Sequence, residues 1–361
     1  MAGRHFHGAE INLEEQFMSR RRFLRASALL GASAGMSGFG AMSARAQGAS
    51  QTGDGPFRIL MSGYGPPNTS FSLALKRIGD RLEEKFQDQV DVRYVYNIME
   101  LGYRGLEILR LVEEGVLTLG YQSSSYLTDR VPDLGLVDLP FIFSDNTTAR
   151  ASMDGRLGEL LTSSIEAATD YRVLGYFENG LRHISNRVRP VRLPSDLEGL
   201  KIRVLPSQVH ARTFELLGAE PEIMDLSEAI ERVKAGTLDA QENPFANTVT
   251  YGVHNFHRFH TASNHFYISR PIFLHRPTFE SWPVELQLEM QEAVRDAVLF
   301  QRGLKDGEEE AAATAIREEG GEILELTPEE VQAFIDAVNP IYDEARDQYS
   351  RELLELVDLQ V

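Results

Sequence analysis

Apolar and polar residues follow two alternating periods from residue 57 onward. Residues 57–61 form an apolar run of strand length, and residues 90–96 alternate between apolar and polar positions as a strand does. Between these segments, Phe71, Leu75 and Ile78 begin an apolar series at helical spacing. A strand, a helix and a second strand in this order predict a βαβ unit and an α/β fold with a mostly parallel sheet.

A second series of strand and helix signals begins near residue 171, with apolar runs at 173–177 and 200–205. Because 361 residues exceed what one hydrophobic core usually serves, the two series predict two lobes. The apolar periodicity at 283–319 is too long for one ordinary helix, so we expect a long helix that braces both lobes. The expected lobes consist of 52–178 with about 264–300, and of 179–263 with about 301–361.

The beginning of the chain has the parts of an export signal. Arg20 and Arg21 lie in a basic segment, a weakly apolar stretch rich in Ala, Gly and Ser follows, and Ala-Arg-Ala at 44–46 precedes Gln47. Paired arginines followed by Phe-Leu resemble the twin-arginine export signal. We therefore expect residues 1–46 to be a cleaved signal peptide and the mature protein to be periplasmic. An uncleaved membrane anchor is the alternative, and it is disfavoured because Gly and Ser dilute the apolar stretch.

The charge and the cysteine count narrow the class of partner. The formal net charge is −18 at pH 7, and no stripe rich in Lys and Arg interrupts it. A polyanion such as DNA or RNA would be repelled over most of the surface, so we expect no nucleic acid partner. The chain has no cysteine, which excludes disulfides, iron–sulfur clusters, thiolate zinc sites and cysteine nucleophiles.

One region invites a metal-binding interpretation, because four histidines lie close together in the sequence: His254, His257, His260 and His265. On a helix, His260 would lie nearly opposite His254 and His257, and no acidic residue nearby completes a ligand set. Ordinary polar contacts are therefore the favoured interpretation. We expect no metal and no cofactor.

The sequence also offers little support for catalysis. Asp239 and Glu242 could suggest acid–base chemistry, but no nucleophile lies beside them in the sequence. A Gly-x-Ser-x-Gly elbow and a phosphate-binding Gly-rich loop are both absent from the sequence. We therefore expect the protein not to be an enzyme.

A run of three serines follows the third predicted strand, which covers 117–121. Open α/β sheets bind ligands outside the carboxyl ends of their strands, where loop hydroxyls and backbone amides converge. Ser123, the first of the three, is therefore a candidate ligand contact. A plain polar loop remains the alternative.

Four short segments carry a family resemblance that extends from Phe57 to about Leu353. They are Asp-Leu-Pro-Phe at 138–141, Gly-Leu-Arg at 180–182, Gly-Leu-Lys-Ile-Arg-Val at 199–204 and Asp-Ala-Gln-Glu-Asn-Pro at 239–244. In order and spacing, the chain resembles the DctP-type solute-binding proteins of tripartite ATP-independent periplasmic (TRAP) transporters. Two positions depart from the family: Ala240 stands where Gly is usual, and Leu226 stands where some members have an aromatic residue.

The resemblance implies a two-lobed periplasmic binding protein fold with an anion site between the lobes. It implies that Arg203 clamps a carboxylate, that Arg182 is a second cationic contact and that Asn243 is a neutral partner. A guanidinium suits this role because it offers two parallel N–H donors and stays charged at any working pH. The body of the ligand would contact Leu226 and Phe245.

An ion pair within the protein is the alternative role for Arg182 and Arg203, and it is the commoner role of arginine in general. Both residues lie in strand-like runs among apolar neighbours, where an unpaired guanidinium would be costly, and this position favours the ligand role. We expect the empty site to hold each cationic group without an anionic partner, so removing either arginine should leave the stability of the free protein unchanged or raise it.

We expect an extracytoplasmic solute-binding protein that captures a small organic acid and delivers it to a TRAP-type membrane permease driven by an ion gradient. The ligand would be a mono- or dicarboxylate, or else a sulfonate. A ligand-sensing subunit of a signalling receptor is an alternative that would use the same fold and pocket. An exported enzyme is a further alternative, and the missing cysteines and cofactor motifs count against it.

Overall fold

The structure of the protein is a computed structural model, and it describes residues 55–359. The expected signal peptide at 1–46 lies outside the described residues. The helices are α1 (Ser70–Phe86), α2 (Glu107–Glu113), α3 (Asn146–Asp154), α4 (Arg156–Ala168), α5 (Gln208–Leu216), α6 (Leu226–Lys234), α7 (Phe245–Thr250), α8 (Arg276–Ser281), α9 (Val284–Glu318), α10 (Pro328–Val338), α11 (Pro340–Gln348) and α12 (Arg351–Glu355). The strands are β1 (Phe57–Ser62), β2 (Val90–Val95), β3 (Leu119–Tyr121), β4 (Tyr171–Leu181), β5 (His183–Asn186), β6 (Lys201–Val204), β7 (Glu220–Ile223), β8 (Ala240–Asn243), β9 (Phe259–Ala262), β10 (Tyr267–His275) and β11 (Glu322–Glu325).

The first lobe is built on a five-stranded sheet in the order β2-β1-β3-β10-β4. Strand β1 pairs in parallel with β2 and β3, and β10 runs antiparallel to β3 and β4. Helix α1 begins after Thr69, whose side chain accepts a hydrogen bond from the backbone N–H of Ser72, and it buries Leu75, Ile78 and Leu82. The βαβ unit predicted from the apolar spacing at this end of the chain is confirmed.

The second lobe is built on a six-stranded sheet in the order β11-β9-β5-β8-β6-β7. Strand β6 pairs in parallel with β7 and β8, whereas β5 runs antiparallel to β8 and β9. Ile202, Val204, Phe214 and Phe266 lie in the apolar core of this lobe. The sheet places the carboxyl ends of β6 and β8 next to each other, because the two strands are parallel neighbours.

Both sheets are mixed, whereas the sequence predicts mostly parallel pairing. The difference arises where the chain passes directly from one sheet to the other. Strand β4 ends at Leu181 in the first sheet and β5 begins at His183 in the second, while β9 ends at Ala262 in the second sheet and β10 begins at Tyr267 in the first. These direct crossings deliver β5 and β10 into the two sheets, where each pairs antiparallel with both of its neighbours.

Helix α9 is the long helix that the sequence predicts. It has 35 residues and is therefore about 52 Å long. Its first half packs against α1 and β4 and buries Met290, Ala293 and Ala297 in the core of the first lobe. Its second half packs against α7 and β11 of the second lobe, where Ala312 and Ile316 are buried. The two-lobed α/β fold with a helix bracing both lobes is thus confirmed.

The C-terminal helices are divided between the two lobes. Helix α10 packs in the second lobe, where Phe334 and Val338 belong to the apolar core. Helices α11 and α12, which the sequence analysis assigns to the second lobe, instead contribute Ile341, Ala345 and Leu354 to the core of the first. The exact lobe boundaries stay a prediction. Within residues 55–359, no helix combines the length and the apolar character that a membrane span requires.

Three histidines are buried in or beside the second sheet: His257, His260 and His265. Burial lowers the pKa of His257 to about 3 and that of His260 to about 4, and it also lowers the pKa of His265. All three rings are therefore neutral at pH 7. The Nδ1 atom of His257 lies 3.0 Å from the hydroxyl oxygen of Ser185, so at least part of the polar surface of these rings is satisfied.

We expect acid to destabilise the protein already at pH values well above the pKa of a typical carboxyl group. Below about pH 6.5 the unfolded chain binds protons on these histidines and the folded protein does not, so stability falls as the pH is lowered. His257 and His260 should each cost about 2 kcal/mol between pH 7.5 and 5.0. The measurement is urea unfolding across this range, for the wild type and for His257→Gln, which cannot titrate and should lose about 2 kcal/mol less. Equal stability at pH 7.5 and 5.0 would contradict the neutral buried state.

Candidate ligand-binding site

A small cavity lies between the two lobes. The first lobe lines it with four residues: Tyr64, Ser123, Tyr126 and Arg270. Tyr64 follows the carboxyl end of β1, and Ser123 follows the carboxyl end of β3. The parallel strands of the first sheet therefore place their carboxyl ends toward the cavity, which is where open α/β sheets bind ligands.

The second lobe lines the opposite side of the cavity with six residues: Arg203, Leu205, Leu226, Asn243, Asn247 and Tyr251. Arg203 lies on β6, and Asn243 is the last residue of β8. Arg182, which lies between β4 and β5 where the chain crosses between the lobes, completes the lining. The site is thus assembled at the carboxyl ends of strands from both sheets.

Five of the six site residues proposed from the sequence line this cavity: Arg203, Arg182, Asn243, Ser123 and Leu226. The sixth, Phe245, does not line it. The ring of Phe245 stacks on the ring of His183, with 4.1 Å between their centroids, and packs with Ala312 and Ile316 of α9. The apolar surface of the long helix holds the Phe245 ring among the packing residues of the second lobe. The part that each of the six residues plays in binding stays a prediction.

Arg203 is a buried arginine that is held by neutral acceptors. Its side chain is 2% exposed. The backbone carbonyl oxygen of Met224 accepts from Nε at 3.2 Å and from Nη2 at 3.1 Å, and the hydroxyl oxygen of Tyr126 accepts from Nη2 at 3.1 Å. Within residues 55–359, no carboxylate oxygen lies within 4.0 Å of its guanidinium nitrogens. The positive charge of Arg203 is therefore fixed in position and lacks a counter-charge among these residues.

Arg182 is in a different electrostatic environment. It is 1% exposed, and its Nε and Nη2 atoms donate to the two carboxylate oxygens of Glu242, while Nη2 also donates to the backbone oxygen of Glu242 at 2.6 Å. Burial alone would raise the pKa of Glu242, but the Arg182 guanidinium outweighs burial and lowers this pKa to about 2. The pair is ionised at pH 7. The expectation that Arg182 lacks an anion within the protein is therefore wrong, because the β5–β8 pairing brings Glu242 to it.

Tyr126 connects the two lobes at the edge of the cavity. It belongs to the short turn Ser124–Leu127 of the first lobe, and its hydroxyl oxygen accepts from Arg203 and from the backbone N–H of Leu226 at 3.1 Å. Burial raises the pKa of Tyr126 to about 12, so the phenol is neutral at pH 7. Another hydrogen bond between the lobes involves Asp225, which caps α6 in the second lobe. Its carboxylate accepts from the backbone N–H of Leu106 in the first lobe at 3.1 Å. The lobes therefore meet through hydrogen bonds that include a cavity arginine.

Several cavity residues were not identified from the sequence: Tyr64, Tyr126, Asn247, Tyr251 and Arg270. Most of them belong to loops or short turns, whose direction the sequence pattern does not define. Arg270 did leave a signal, because it interrupts a strand in which every residue is buried. A charged residue in a fully buried strand requires a partner. A search of the sequence for the partner of Arg270 could therefore have marked this residue as a candidate for the site.

The histidine-rich region contains no metal site. Within residues 55–359, no group of three or more His, Asp or Glu side chains is arranged to hold a metal ion. His254 instead lies 3.0 Å from a carboxylate oxygen of Glu319, and His260 lies 2.9 Å from the backbone oxygen of His257. These are the ordinary polar contacts that the sequence analysis favours.

The chain belongs to the bacterial extracellular solute-binding protein family 7, whose model, DctP, matches residues 61–348. The C4-dicarboxylate-binding periplasmic protein DctP of Rhodobacter capsulatus is 28% identical over 84% of this chain and 90% of that protein. The 2,3-diketo-L-gulonate-binding periplasmic protein of Escherichia coli is 27% identical over 83% of this chain and 89% of that protein. The family predicted from the four sequence segments is confirmed.

Solved structures agree with this assignment. A TRAP periplasmic solute-binding protein of Sulfurospirillum deleyianum, with bound succinate, aligns with a TM-score of 0.79 and 26% identity and covers 84% of this chain and 99% of its own. The sugar acid binding protein of Advenella mimigardefordensis, in complex with galactonate, aligns with a TM-score of 0.80 at 23% identity and covers 84% and 98%. The protein is therefore a solute-binding protein by family, with the fold of the TRAP-associated class.

We expect the Arg182–Glu242 pair to stabilise the fold, and Arg203 to contribute little to stability. Arg182→Met should lower the free energy of unfolding by about 3–5 kcal/mol, because it leaves the Glu242 carboxylate buried without its partner. Arg203→Met removes a charge that has no internal counter-charge, and it should change stability by less than about 1 kcal/mol. The measurement is urea unfolding of the free proteins at pH 7.5. The double variant Arg182→Met with Glu242→Gln should recover most of the loss, and a small effect of Arg182→Met would contradict the structural role.

Proposed function

We propose that the protein captures a small carboxylate between its lobes and delivers it to a TRAP-type membrane permease driven by an ion gradient. The observation that carries this proposal is Arg203, a buried guanidinium on the cavity wall that neutral acceptors hold in place and no described carboxylate neutralises. A carboxylate is the anion that matches a planar guanidinium with two parallel hydrogen bonds. The Nη1 atom of Arg203 donates to no acceptor in the described chain and is available for such a bond.

The relatives support a carboxylate as the class of ligand. Those named above are described as binding C4-dicarboxylates and 2,3-diketo-L-gulonate, and the Sulfurospirillum deleyianum structure contains succinate. All of these ligands carry at least one carboxylate. The charge of Arg203 supplies the feature that a site for such ligands needs.

Ligand capture would proceed by closure of the lobes around the anion. Arg203 belongs to the second lobe, and Tyr126, which bonds to it, belongs to the first. An anion on Arg203 would therefore be enclosed by groups from both lobes, and its differential affinity for the closed form would supply the free energy of closure. No chemical step is part of this function, and the protein acts as a binding protein rather than an enzyme.

Delivery requires a periplasmic location, which we propose to depend on the twin-arginine signal at the beginning of the chain. Family members are described as periplasmic solute-binding proteins. The paired arginines and the Ala-Arg-Ala sequence at 44–46 support export and processing of this chain. The partners would be the membrane subunits of the transporter.

We expect Arg203 to anchor the carboxylate through Nη1 together with Nη2, which would exchange its hydrogen bond to Tyr126 for the second carboxylate oxygen. A thermal-shift panel containing succinate, galactonate, galacturonate and 2,3-diketo-L-gulonate would identify the tightest acid, and titration calorimetry would then compare variants. Arg203→Lys should lose almost as much affinity as Arg203→Ala, about thirty-fold to several thousand-fold, because a point charge does not replace the planar fork.

The control for these variants is Arg302→Gln, since Arg302 is also buried but pairs with Asp154 and does not line the cavity. Melting curves would establish that each variant is folded. Folded Arg203 variants that bind within about five-fold of the wild type would contradict the proposed role of Arg203, because an exposed ion pair has an effect of that size.

We expect export to depend on the paired arginines. Changing both Arg20 and Arg21 to Lys should retain the protein in the cytoplasm, because the receptor of this pathway reads the arginine pair and not the charge alone. Cell fractionation measures the effect, and N-terminal sequencing of the exported wild type should begin near Gln47. Arg4→Lys is the matched control. Undiminished export of the double variant would show that another route carries the protein.

A further inference from the structure

The outer side of α9 carries the three most exposed large apolar side chains of the described chain. Val284 is 69% exposed, Leu288 58% and Leu299 65%, whereas no other large apolar side chain within residues 55–359 exceeds 45%. A helix turns by about 100° per residue, so the spacing of these three side chains places them within about 60° of each other around the helix axis. Single apolar residues are normal on a protein surface, whereas several on one helix face suit contact with another protein.

Two opposite charges lie in the middle of this apolar stripe. Glu292 and Arg295 lie between Leu288 and Leu299 on the same face, and a carboxylate oxygen of Glu292 is 3.1 Å from a guanidinium nitrogen of Arg295. Gly303, four residues after Leu299, is also exposed, and a Cβ atom there would meet no atom of another element within 4 Å. The outer face of α9 therefore has the same spacing of positions in either direction, in the order Val284, Leu288, Glu292, Arg295, Leu299 and Gly303.

This symmetry makes the outer face of α9 complementary to itself. In a two-fold dimer, a contact between residue i of one copy and residue j of the other occurs twice, with the roles of the copies exchanged. Two antiparallel α9 helices would place Leu288 opposite Leu299 of the second copy, and Glu292 opposite Arg295 of the second copy. The first and last positions of the face, a valine and a glycine, would also meet. A parallel pairing would instead place each charge opposite the same charge, which is unfavourable.

The surroundings of the outer face leave this contact available. On the side of α1, acidic residues of α9 already have partners, because Asp296 accepts from Arg77 at 2.6 Å and Glu289 accepts from Lys85 at 2.7 Å. On the side of β4, the half-buried Leu174 lines an open groove beside α9. None of the six residues of the outer face lines the cavity between the lobes, so the contact would use a different surface from the ligand site.

We propose that the protein forms a homodimer in which the outer faces of two α9 helices pack antiparallel around a two-fold axis. A second copy is the partner that this surface fits, because it supplies an apolar side chain for each leucine and an opposite charge for Glu292 and for Arg295. A lipid surface or a wholly apolar partner would offer these two charges no counterpart. The inference does not depend on the identity of the ligand.

The dimer should be weak. Positions 284–303 span about 28 Å of helix, so we expect the contact to be smaller than the standard interface of about 1,600 Å² and the dimer to dissociate on dilution. The formal net charge of −18 also opposes the association of two copies. At an ionic strength of about 0.15 M, repulsion between charges more than about 8 Å apart is largely screened, so the short-range contacts of the face decide.

The first test is sedimentation of the protein at concentrations from about 2 to about 500 µM, at an ionic strength of about 0.15 M. The average mass should rise with concentration from that of one copy toward that of two. Leu288→Glu and Leu299→Glu should each weaken the dimer about ten-fold or more, because each places a charge opposite an apolar side chain. Val188→Glu is the matched control, since Val188 is also exposed but lies outside α9, and it should leave the dimer unchanged.

Melting curves would establish that each variant is folded, as expected for substitutions at exposed positions. A wild-type mass that stays at one copy up to the highest concentration would refute the dimer. Glutamate variants that associate as strongly as the wild type would show that another surface forms it, and would equally overturn the proposal.

The second test reverses the central charges. Arg295→Glu alone should weaken the dimer about ten-fold, because acidic side chains of the two copies would then face each other. The double variant Glu292→Arg with Arg295→Glu exchanges the two charges and should restore the affinity to within about three-fold of the wild type. A double variant no tighter than Arg295→Glu alone would contradict the proposed pairing.

The third test uses the absence of cysteine from the chain. An equimolar mixture of Leu288→Cys and Leu299→Cys should form a disulfide-linked pair on oxidation with oxidised glutathione, because these two positions face each other across the two-fold axis. Either variant alone should form little of it, since its two cysteines would lie about 16 Å apart along the helix axis. A mixture that links no faster than either variant alone would overturn the antiparallel arrangement.

Discussion

An arginine enclosed by protein needs a negative charge beside it or a set of neutral acceptors, and this need organises the region between the two lobes. Arg182 meets it inside the protein, through the Glu242 carboxylate. Arg203 meets it only in part, through one carbonyl oxygen and one phenol, and Arg270 only in part, through one amide oxygen. The cavity therefore contains positive charge that an anion could neutralise. The Arg182–Glu242 pair, where the chain crosses between the lobes, is already neutral.

The two kinds of arginine have different consequences for the molecule. The Arg182–Glu242 pair links the segment that crosses between the lobes to β8. Its charges are matched without a ligand, so the pair has a structural role. Arg203 and Tyr126 come from different lobes and bond to each other at the cavity, so the contact between the lobes includes the arginine that we propose as the carboxylate anchor. Helix α9 packs on both lobes and so connects them through one continuous element.

Two buried titratable groups near the cavity contribute no net charge to it. Burial holds the Tyr126 phenol and the His265 ring in their uncharged forms at pH 7. Glu242 is ionised, but its charge is matched by Arg182. Among the residues that line the cavity, Arg203 and Arg270 therefore carry the positive charges that no carboxylate of the described chain matches.

The sequence by itself determined the alternation of strands and helices, the long bracing helix and the family, because apolar periodicity and short motifs act locally along the chain. It also singled out five of the eleven residues that line the cavity. Arg203 and Asn243, which the sequence proposes as ligand contacts, both line the cavity, since they occupy or end strands whose carboxyl ends meet. Only the tertiary structure decided that Arg182 is neutralised by Glu242 and that Arg270 is not neutralised at all. A strand pattern tells which way a side chain points, but the charge that it meets comes from a strand far away in the sequence, and sheet pairing alone brings the two together.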